Sequence, residues 1–122
     1  MKKRLLIVLA ALCLAGCASG PRTHYAWNNY SNHLYDYQAQ KIDNAQMLQY
    51  LLEAVEEAQK RNVRLAPGLY AEIGTMYIRM NQPAEAPKYY RLEAATWPES
   101  AGFMTTIADA IERNLAKQGE NK

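Results

Sequence analysis

A run of apolar and small residues between Pro67 and Ser100 constrains the fold of this chain more than any other feature. Its apolar positions recur at the intervals that place side chains on one face of an α-helix. Two of its members, Gly74 and Ala86, are small, so two antiparallel helices can approach closely there while tyrosine rings fill the space around them. The positions that define the pattern are Tyr70, Ile73, Gly74, Tyr77, Ala86, Tyr90 and Pro98. The stretch therefore predicts one helical hairpin.

This order and spacing resembles the tetratricopeptide repeat, a helix–turn–helix unit of 34 residues. The resemblance implies a hairpin that binds other molecules and does not itself catalyse. Pro67 suits the first position of the first helix, and residues 81–83 suit the turn, with a proline opening the second helix. Two residues depart from the pattern. Pro87 removes a hydrogen bond inside the second helix, which predicts a distorted or late start, and Glu93 replaces a small residue, whose contact we expect Ala94 to supply.

Amphipathic helices are predicted on both sides of this hairpin. Before it, apolar residues recur at helical spacing from Asp43 to Arg61, and Asp43 with Gln46 has the pattern of a capping box. After it, Met104, Ile107, Ala108 and Ile111 repeat the offsets of the first hairpin helix one 34-residue period later. A single repeat cannot cover its own apolar faces. The sequence thus predicts an all-α fold over residues 25–119, a tetratricopeptide-like helical hairpin with flanking capping helices.

The first residues have the layout of a secretory signal peptide. Three basic residues, from Lys2 to Arg4, precede an apolar run from Leu5 to Leu14. A transmembrane helix needs roughly 20 apolar residues. The run is shorter than that, so it predicts a signal peptide rather than a membrane span.

The tetrad Leu14-Ala15-Gly16-Cys17 resembles a bacterial lipobox. The resemblance implies that residues 1–16 are removed as a lipoprotein signal peptide and that Cys17 becomes lipidated. Residues 17–24 then form the lipidated cysteine and a short tether. Because Ala18 and Ser19 follow the cysteine in place of an acidic residue, the resemblance also implies the outer membrane, with the domain facing the periplasm.

Removal of the signal peptide changes the charge and the cysteine count. Eleven basic residues remain against twelve acidic ones, a net charge of about −1 in place of +2 for the whole sequence. We therefore expect no surface that binds nucleic acid. Cys13 leaves with the signal peptide and Cys17 carries the lipid, so no cysteine pair is left for a disulfide. The remaining 106 residues are enough for one domain with one core.

An aromatic segment, residues 25–37, follows the tether. The spacing of Tyr30, Leu34 and Tyr37 predicts a short helix there. One interpretation is that its rings cover the open side of the hairpin as a lid, and the other is that they bind a peptide or a glycan. The candidates for binding are Tyr25, Trp27, Tyr30, Tyr35 and Tyr37. His24 and His33 belong to no cluster of metal ligands, so we expect no metal site.

No arrangement of catalytic residues stands out in the sequence. It contains neither a nucleophile motif nor a Gly-rich phosphate loop, and lipidation leaves no free cysteine. We therefore expect no enzymatic activity and no cofactor other than the covalent lipid on Cys17.

The mature chain also resembles a family of small bacterial lipoproteins of unknown function. The motifs that carry this resemblance are Tyr25-Ala26-Trp27, Leu34-Tyr35-Asp36-Tyr37, Pro67 to Glu72, and Trp97 to Ser100. Such proteins are typically encoded beside a lipoprotein similar to the curli secretion channel, which implies a shared complex of the cell envelope. We expect a periplasmic adaptor that binds envelope proteins, with the channel-like lipoprotein as a partner. A module that binds peptidoglycan or another glycan through its aromatic residues is the alternative.

Overall fold

The computed structural model describes residues 24–120 together with Met1. Helices make up most of this part of the chain, which confirms the all-α class. The segments interpreted as signal peptide, lipidated Cys17 and tether up to residue 23 lie outside the described residues. In chain order the elements are β1 (Tyr25–Ala26), α1 (Tyr30–Gln38), α2 (Asn44–Arg61), β2 (Arg64–Leu65), α3 (Leu69–Arg79), α4 (Ala86–Thr96), a 3₁₀ turn (Pro98–Ser100) and α5 (Ala101–Glu120).

The helix predicted from Asp43 to Arg61 is confirmed as α2. Asp43 is its N-cap and accepts a hydrogen bond from the backbone N–H of Gln46, whose side chain accepts one in return from the backbone N–H of Asp43. This capping box satisfies two backbone donors that the first turn leaves unpaired. Asn62 ends the helix in the left-handed conformation, with φ 49°. The sequence therefore encodes both ends of α2.

The first helix of the hairpin, α3, begins later than predicted. The prediction that Pro67 opens it was wrong, because Gly68 is the N-cap and Leu69 is the first helical residue. Gly68 has φ 87°, a left-handed conformation that glycine adopts without the strain a side chain would add. Gly68 comes only three residues after the end of β2, so the chain must turn sharply there to enter α3.

The second helix of the hairpin, α4, also starts late, as Pro87 predicts. The prediction that Pro83 opens it was wrong, because residues 83–85 form a turn in which the Ala86 N–H donates to the Pro83 carbonyl at 3.3 Å. Pro87 lies in the first turn of α4, where a missing N–H breaks no helical hydrogen bond. Trp97 caps the other end, directly before Pro98, as predicted.

Helices α3 and α4 pack against each other in antiparallel directions. The Tyr77 ring, late in α3, stacks on the Tyr89 ring, early in α4, with their centroids 5.4 Å apart. Gly74 lies at the closest approach, since a Cβ added to it would be 3.0 Å from Tyr90 Cε2 and 3.2 Å from the Ala86 carbonyl oxygen. Gly74 and Ala86, the two small residues of the sequence pattern, therefore lie against each other.

A two-stranded parallel sheet, which the sequence analysis did not predict, fixes the start of the domain. Tyr25 pairs with Arg64 and Ala26 with Leu65. The Ala66 N–H also donates to the Ala26 carbonyl at 3.1 Å, and Ala26 is fully buried. The segment that follows α2 thus holds the N-terminal end of the domain in place.

The core has two parts. The larger part lies between α2 and α3 and is covered by side chains of the sheet and of α1. Its largest fully buried apolar side chains are Met47, Leu51, Leu65, Leu69, Ile73 and Met76. The smaller part lies between α4 and α5, around Ala86, Tyr90 and Ala108. Helix α5 therefore covers the outer side of the hairpin, at the position predicted for the closing helix.

Candidate interaction surfaces

The structure divides the five aromatic candidates into two groups. Tyr25, Tyr30 and Tyr37 are partly buried and pack against the main core. Trp27 and Tyr35 are exposed, with 39% and 64% of their surface accessible to solvent. Three of the five rings therefore help to cover the core, and the other two remain exposed.

Tyr25 contributes to a stack of three side chains at the sheet. Its ring meets the ring of Trp97 edge to face, with 5.1 Å between the centroids. The Arg64 guanidinium carbon lies 4.7 Å from the centre of the Trp97 ring. Cation–π and edge-to-face contacts of this kind contribute about 0.5–1.5 kcal/mol each. Tyr25 thus ties the start of the domain to the end of α4.

Tyr37 connects three helices through its hydroxyl group. Tyr37 Oη donates to Asn44 Oδ1 at 2.7 Å, and Arg79 Nη1 donates to Tyr37 Oη at 2.6 Å. Asn44 begins α2 and Arg79 ends α3. Both hydrogen-bonding directions of the hydroxyl are used. Tyr37 is therefore a residue that positions α1 on the other two helices.

Tyr30 begins α1 and packs beside Trp27, with 6.3 Å between the ring centroids. Burial raises the pKa of Tyr30, and the negative charge of Glu72 in α3 raises it further. On the same helix, His33 stacks on Tyr50 of α2 with 3.8 Å between the centroids. Among residues 24–120, no group of three His, Cys, Asp or Glu side chains that could hold a metal ion includes His33 or the exposed His24.

Tyr35 faces solvent with Lys41 as its neighbour. Lys41 Nζ lies 4.7 Å from the centre of the Tyr35 ring and 3.0 Å from Asp36 Oδ1. Close by, the connection between α1 and α2 borders an open hollow of about 620 Å³. The lining is mostly polar and consists of Tyr37, Gln38, Gln40, Lys41, Ile42, Asp43, Asn44 and Gln46.

The residues of the repeat pattern lie together in the hairpin. Ile73, Gly74, Ala86 and Tyr90 are buried, whereas Tyr70 and Tyr77 are partly buried. Tyr90 Oη and Thr75 Oγ1 are 3.0 Å apart, so this ring is held at both ends. Pro98 differs from the others because it opens the 3₁₀ turn after α4. Burial raises the pKa values of Tyr70 and Tyr77, with smaller contributions from the Glu93 charge and from a hydrogen bond to Tyr89, respectively.

Glu93 has a role that the sequence analysis missed. It is only 2% exposed, whereas Ala94, which was expected to make the inward contact, is partly buried. Glu93 Oε1 accepts a hydrogen bond from the backbone N–H of Gly68 at 2.7 Å. Gly68 is the N-cap of α3 and has no side chain to satisfy this end of the helix. The carboxyl group from α4 therefore acts as the cap, through a contact between residues 25 apart that no local sequence pattern marks.

A shallow apolar groove lies between the α3–α4 turn and the second half of α5. It has a volume of about 210 Å³ and is lined by Ile78, Pro83, Ile111, Asn114, Leu115 and Gln118. The groove exists because α5, at 20 residues, is almost twice as long as α4, at 11 residues. At 1.5 Å per residue, α5 is about 30 Å long and α4 about 16 Å, so α5 extends past the hairpin turn. Ile78 remains 40% exposed there.

The comparison with protein families matches residues 24–107 to DUF4810, a domain of unknown function. The chain therefore belongs to the DUF4810 family. No curated protein and no solved structure gives a significant match. Across the described part of the chain, no helix combines the length and the hydropathy needed to span a bilayer.

Proposed function

We propose that this protein is a lipoprotein of the bacterial outer membrane that acts as an adaptor in the periplasm. In this proposal Cys17 carries the lipid, the helices form a tetratricopeptide-like stack, and the stack holds a partner protein of the cell envelope. No catalytic step is assigned to the domain. The lipoprotein similar to the curli secretion channel is the first partner to test, because the sequence resemblance implies a shared complex.

The observation that carries this proposal is the incomplete cover of α5. Within residues 24–120, α5 packs chiefly against α4 and the 3₁₀ turn. The groove beside its second half exposes apolar surface from Ile78 and Leu115 that no other described helix covers. Helical stacks need polar terminal helices to stay soluble by themselves, and an uncovered apolar edge at the end of a stack favours binding of another protein.

The chemistry of the groove indicates what kind of segment it suits. Its floor is apolar, and its polar lining consists of the neutral amides of Asn114 and Gln118. A short apolar segment, such as one face of an amphipathic helix, would fill it without leaving a charge unpaired. The groove is small, so its affinity would be modest. A lipid anchor compensates because two proteins held at one membrane meet at a high effective concentration.

Site-specific photocrosslinking in intact cells tests the adaptor function. A photoreactive amino acid replaces Ile78 in one variant and Leu92 in another. Leu92 is the matched control, since it is an apolar helical residue of similar exposure, 37% against 40%, but does not line the groove. We expect an adduct with an envelope protein at position 78 and none, or a much weaker one, at position 92.

The companion variant Ile78→Arg should lower the yield of the partner in a pull-down from membranes, whereas Leu92→Arg should not. Mass spectrometry identifies the crosslinked protein. Equal adducts at the two positions, or adducts with no envelope protein at all, would count against the adaptor role of the groove.

Glycan binding is the second candidate, and the open hollow beside the α1–α2 connection favours it. Sugar hydroxyl groups pair well with amides, and the hollow has four of them, from Gln38, Gln40, Asn44 and Gln46. Sedimentation with purified peptidoglycan tests this function directly. The double variant Gln38→Ala/Gln40→Ala should reduce the bound fraction, and an unmodified protein that stays in the supernatant would refute it.

A further inference from the structure

The parallel sheet determines where the lipid tether joins the domain. β1 begins at Tyr25, beside Arg64, and only His24 precedes it among residues 24–120. The described part of the chain therefore begins at this sheet. Trp97 brings the end of α4 to the same place through its contact with Tyr25, and α5 starts four residues after Trp97. We refer to β1, β2, the 3₁₀ turn and the first turn of α5 as the sheet end of the domain.

Basic side chains are concentrated in the chain segment that enters the sheet end. Lys60 and Arg61 close α2, and Arg64 follows in β2, all three with exposed side chains. Consecutive Cα atoms are 3.8 Å apart, so the Cα atoms of Arg61 and Arg64 are within about 11 Å of each other. The acidic neighbours are Glu56 and Glu57, which pair with Lys60 and Arg61 from one helical turn earlier.

Phe103 adds a large exposed apolar group at the same end. It lies in the first turn of α5 and is 67% exposed. No other large apolar side chain among residues 24–120 is as exposed. Glu99, in the preceding turn, is the acidic residue nearest to it in sequence. Phe103 belongs to neither cluster of the core, so its ring is available for a contact outside the domain.

We propose that the sheet end is the surface that rests on the membrane. In this arrangement Phe103 enters the boundary between headgroups and acyl chains, while Lys60, Arg61 and Arg64 contact phosphate groups of anionic phospholipids. The inference rests on the proposed lipid anchor at Cys17. Exposed aromatic and basic side chains at one end of a domain are the residue types that bind membrane interfaces.

The length of the tether favours a lipid surface over a protein at this place. Residues 18–23 reach at most about 20 Å when fully extended. The sheet end, where the tether enters, is therefore held close to the headgroups. The groove near Ile78 lies at the other end of α3, about 14 Å farther along that helix. The same orientation leaves the groove accessible to a periplasmic partner.

Fluorescence quenching in vesicles tests the orientation. The mature chain has no cysteine besides Cys17, so Phe103→Cys and Ile78→Cys each provide one free thiol for the fluorophore NBD. Ile78 is the control because it is also an exposed apolar residue of a helix, but at the opposite end. The lipidated proteins, purified from membranes, are reconstituted into vesicles of phosphatidylethanolamine and phosphatidylglycerol that contain a lipid with a spin-labelled headgroup. We expect several-fold stronger quenching at position 103 than at position 78.

A charge-matched pair of variants tests the role of the basic side chains. Lys60→Gln/Arg61→Gln/Arg64→Gln should reduce the quenching at position 103. The control removes the same charge outside the sheet end and should leave the quenching at position 103 unchanged. It is the triple variant Lys41→Gln/Lys88→Gln/Arg113→Gln. Thermal unfolding of both triple variants checks that they remain folded.

The possible results separate this inference from the anchor on which it rests. Equal quenching at the two positions, or no quenching at position 103 in vesicle-bound protein, overturns the proposed orientation and leaves the anchor intact. Failure of both labelled proteins to float with the vesicles refutes the anchor, and the orientation falls with it. Crosslinking of position 103 to a protein instead of quenching by lipid would also overturn it.

Discussion

The same substitution, glycine to alanine, should have opposite effects at two helical positions of this domain. At Gly74 the added Cβ would be 3.0 Å from Tyr90 Cε2 and 3.2 Å from the Ala86 carbonyl oxygen. At Gly102, in the first turn of α5, nothing lies within 4 Å of the added atom. The pair therefore isolates the cost of the close contact between α3 and α4 from the general effect of alanine on a helix.

The magnitudes follow from two opposing terms. Alanine is about 1 kcal/mol more favourable than glycine inside a helix, and somewhat less at its end. Overpacking of a close contact costs about 1–3 kcal/mol. The cost at Gly74 falls in the upper part of that range, because Tyr90 is tied to Thr75 through its hydroxyl and Ala86 contributes rigid backbone. We expect Gly74→Ala to lower the free energy of unfolding by about 1 kcal/mol and Gly102→Ala to raise it by about 0.5–1 kcal/mol.

Urea unfolding followed by circular dichroism measures both changes. Each variant is made in the mature chain with Cys17→Ser, which lacks the lipidation site. For a domain of this size, a difference of about 2 kcal/mol between the variants corresponds to roughly 10 °C in melting temperature. If Gly74→Ala is as stable as Gly102→Ala, then α3 and α4 do not approach closely at Gly74 and the hairpin contact is wrong.

Three further predictions concern helix ends, each measured by urea unfolding. Glu93→Ala should lower the free energy of unfolding by about 2–4 kcal/mol, because it leaves the Gly68 N–H without its acceptor and opens a cavity. Glu93→Gln retains an accepting oxygen and should change the free energy of unfolding by less than about 1 kcal/mol. Equal losses of stability in the alanine and glutamine variants would exclude a capping role for Glu93. Asp43→Ala should lower the free energy of unfolding by about 0.5–2 kcal/mol, because the Gln46 N–H loses its hydrogen-bond acceptor. An unchanged midpoint of the urea transition would contradict this prediction. Gln40→Gly should raise the free energy of unfolding by about 0.5–1 kcal/mol, because Gln40 has φ 57°, a left-handed conformation that glycine adopts more easily. A lower free energy of unfolding would show that the Gln40 side chain stabilises the fold.

Features that depend on neighbours in sequence could be predicted without a structure. The capping box between Asp43 and Gln46 connects residues three apart, and the late start of α4 follows from Pro87 alone. The helical period likewise placed α5, because it depends only on spacing within the helix. Local chemistry thus determined which segments are helical, the start of α2 and the late start of α4.

Features that depend on distant pairs could not be predicted. β1 and β2 have two residues each, and their pairing joins Tyr25 to Arg64, so neither strand has a pattern of its own. The prediction for Pro67 was wrong for the same reason, since the sheet delays the start of α3. Glu93 was recognised as a departure from the repeat, but its purpose depends on Gly68, 25 residues away. The exposure of Tyr35 could not be separated from the burial of Tyr37, because both lie in one aromatic segment.

The two ends of the helical stack differ, and the difference bears on where the proposed partner would add. Arg79, at the end of α3, donates a hydrogen bond to Tyr37 at the end of α1. At the start of α1, the charge of Glu72, from the first turn of α3, adds to the effect of burial in raising the pKa of Tyr30. α1 and α3 therefore run in the same direction, and α1 with α2 forms a complete pair ahead of the hairpin. At the other end, α5 follows α4, and no further described helix pairs with it. A stack closed at one side by hydrogen-bonded aromatic residues and open at the other favours addition of a helix beside α5, next to the groove at Ile78.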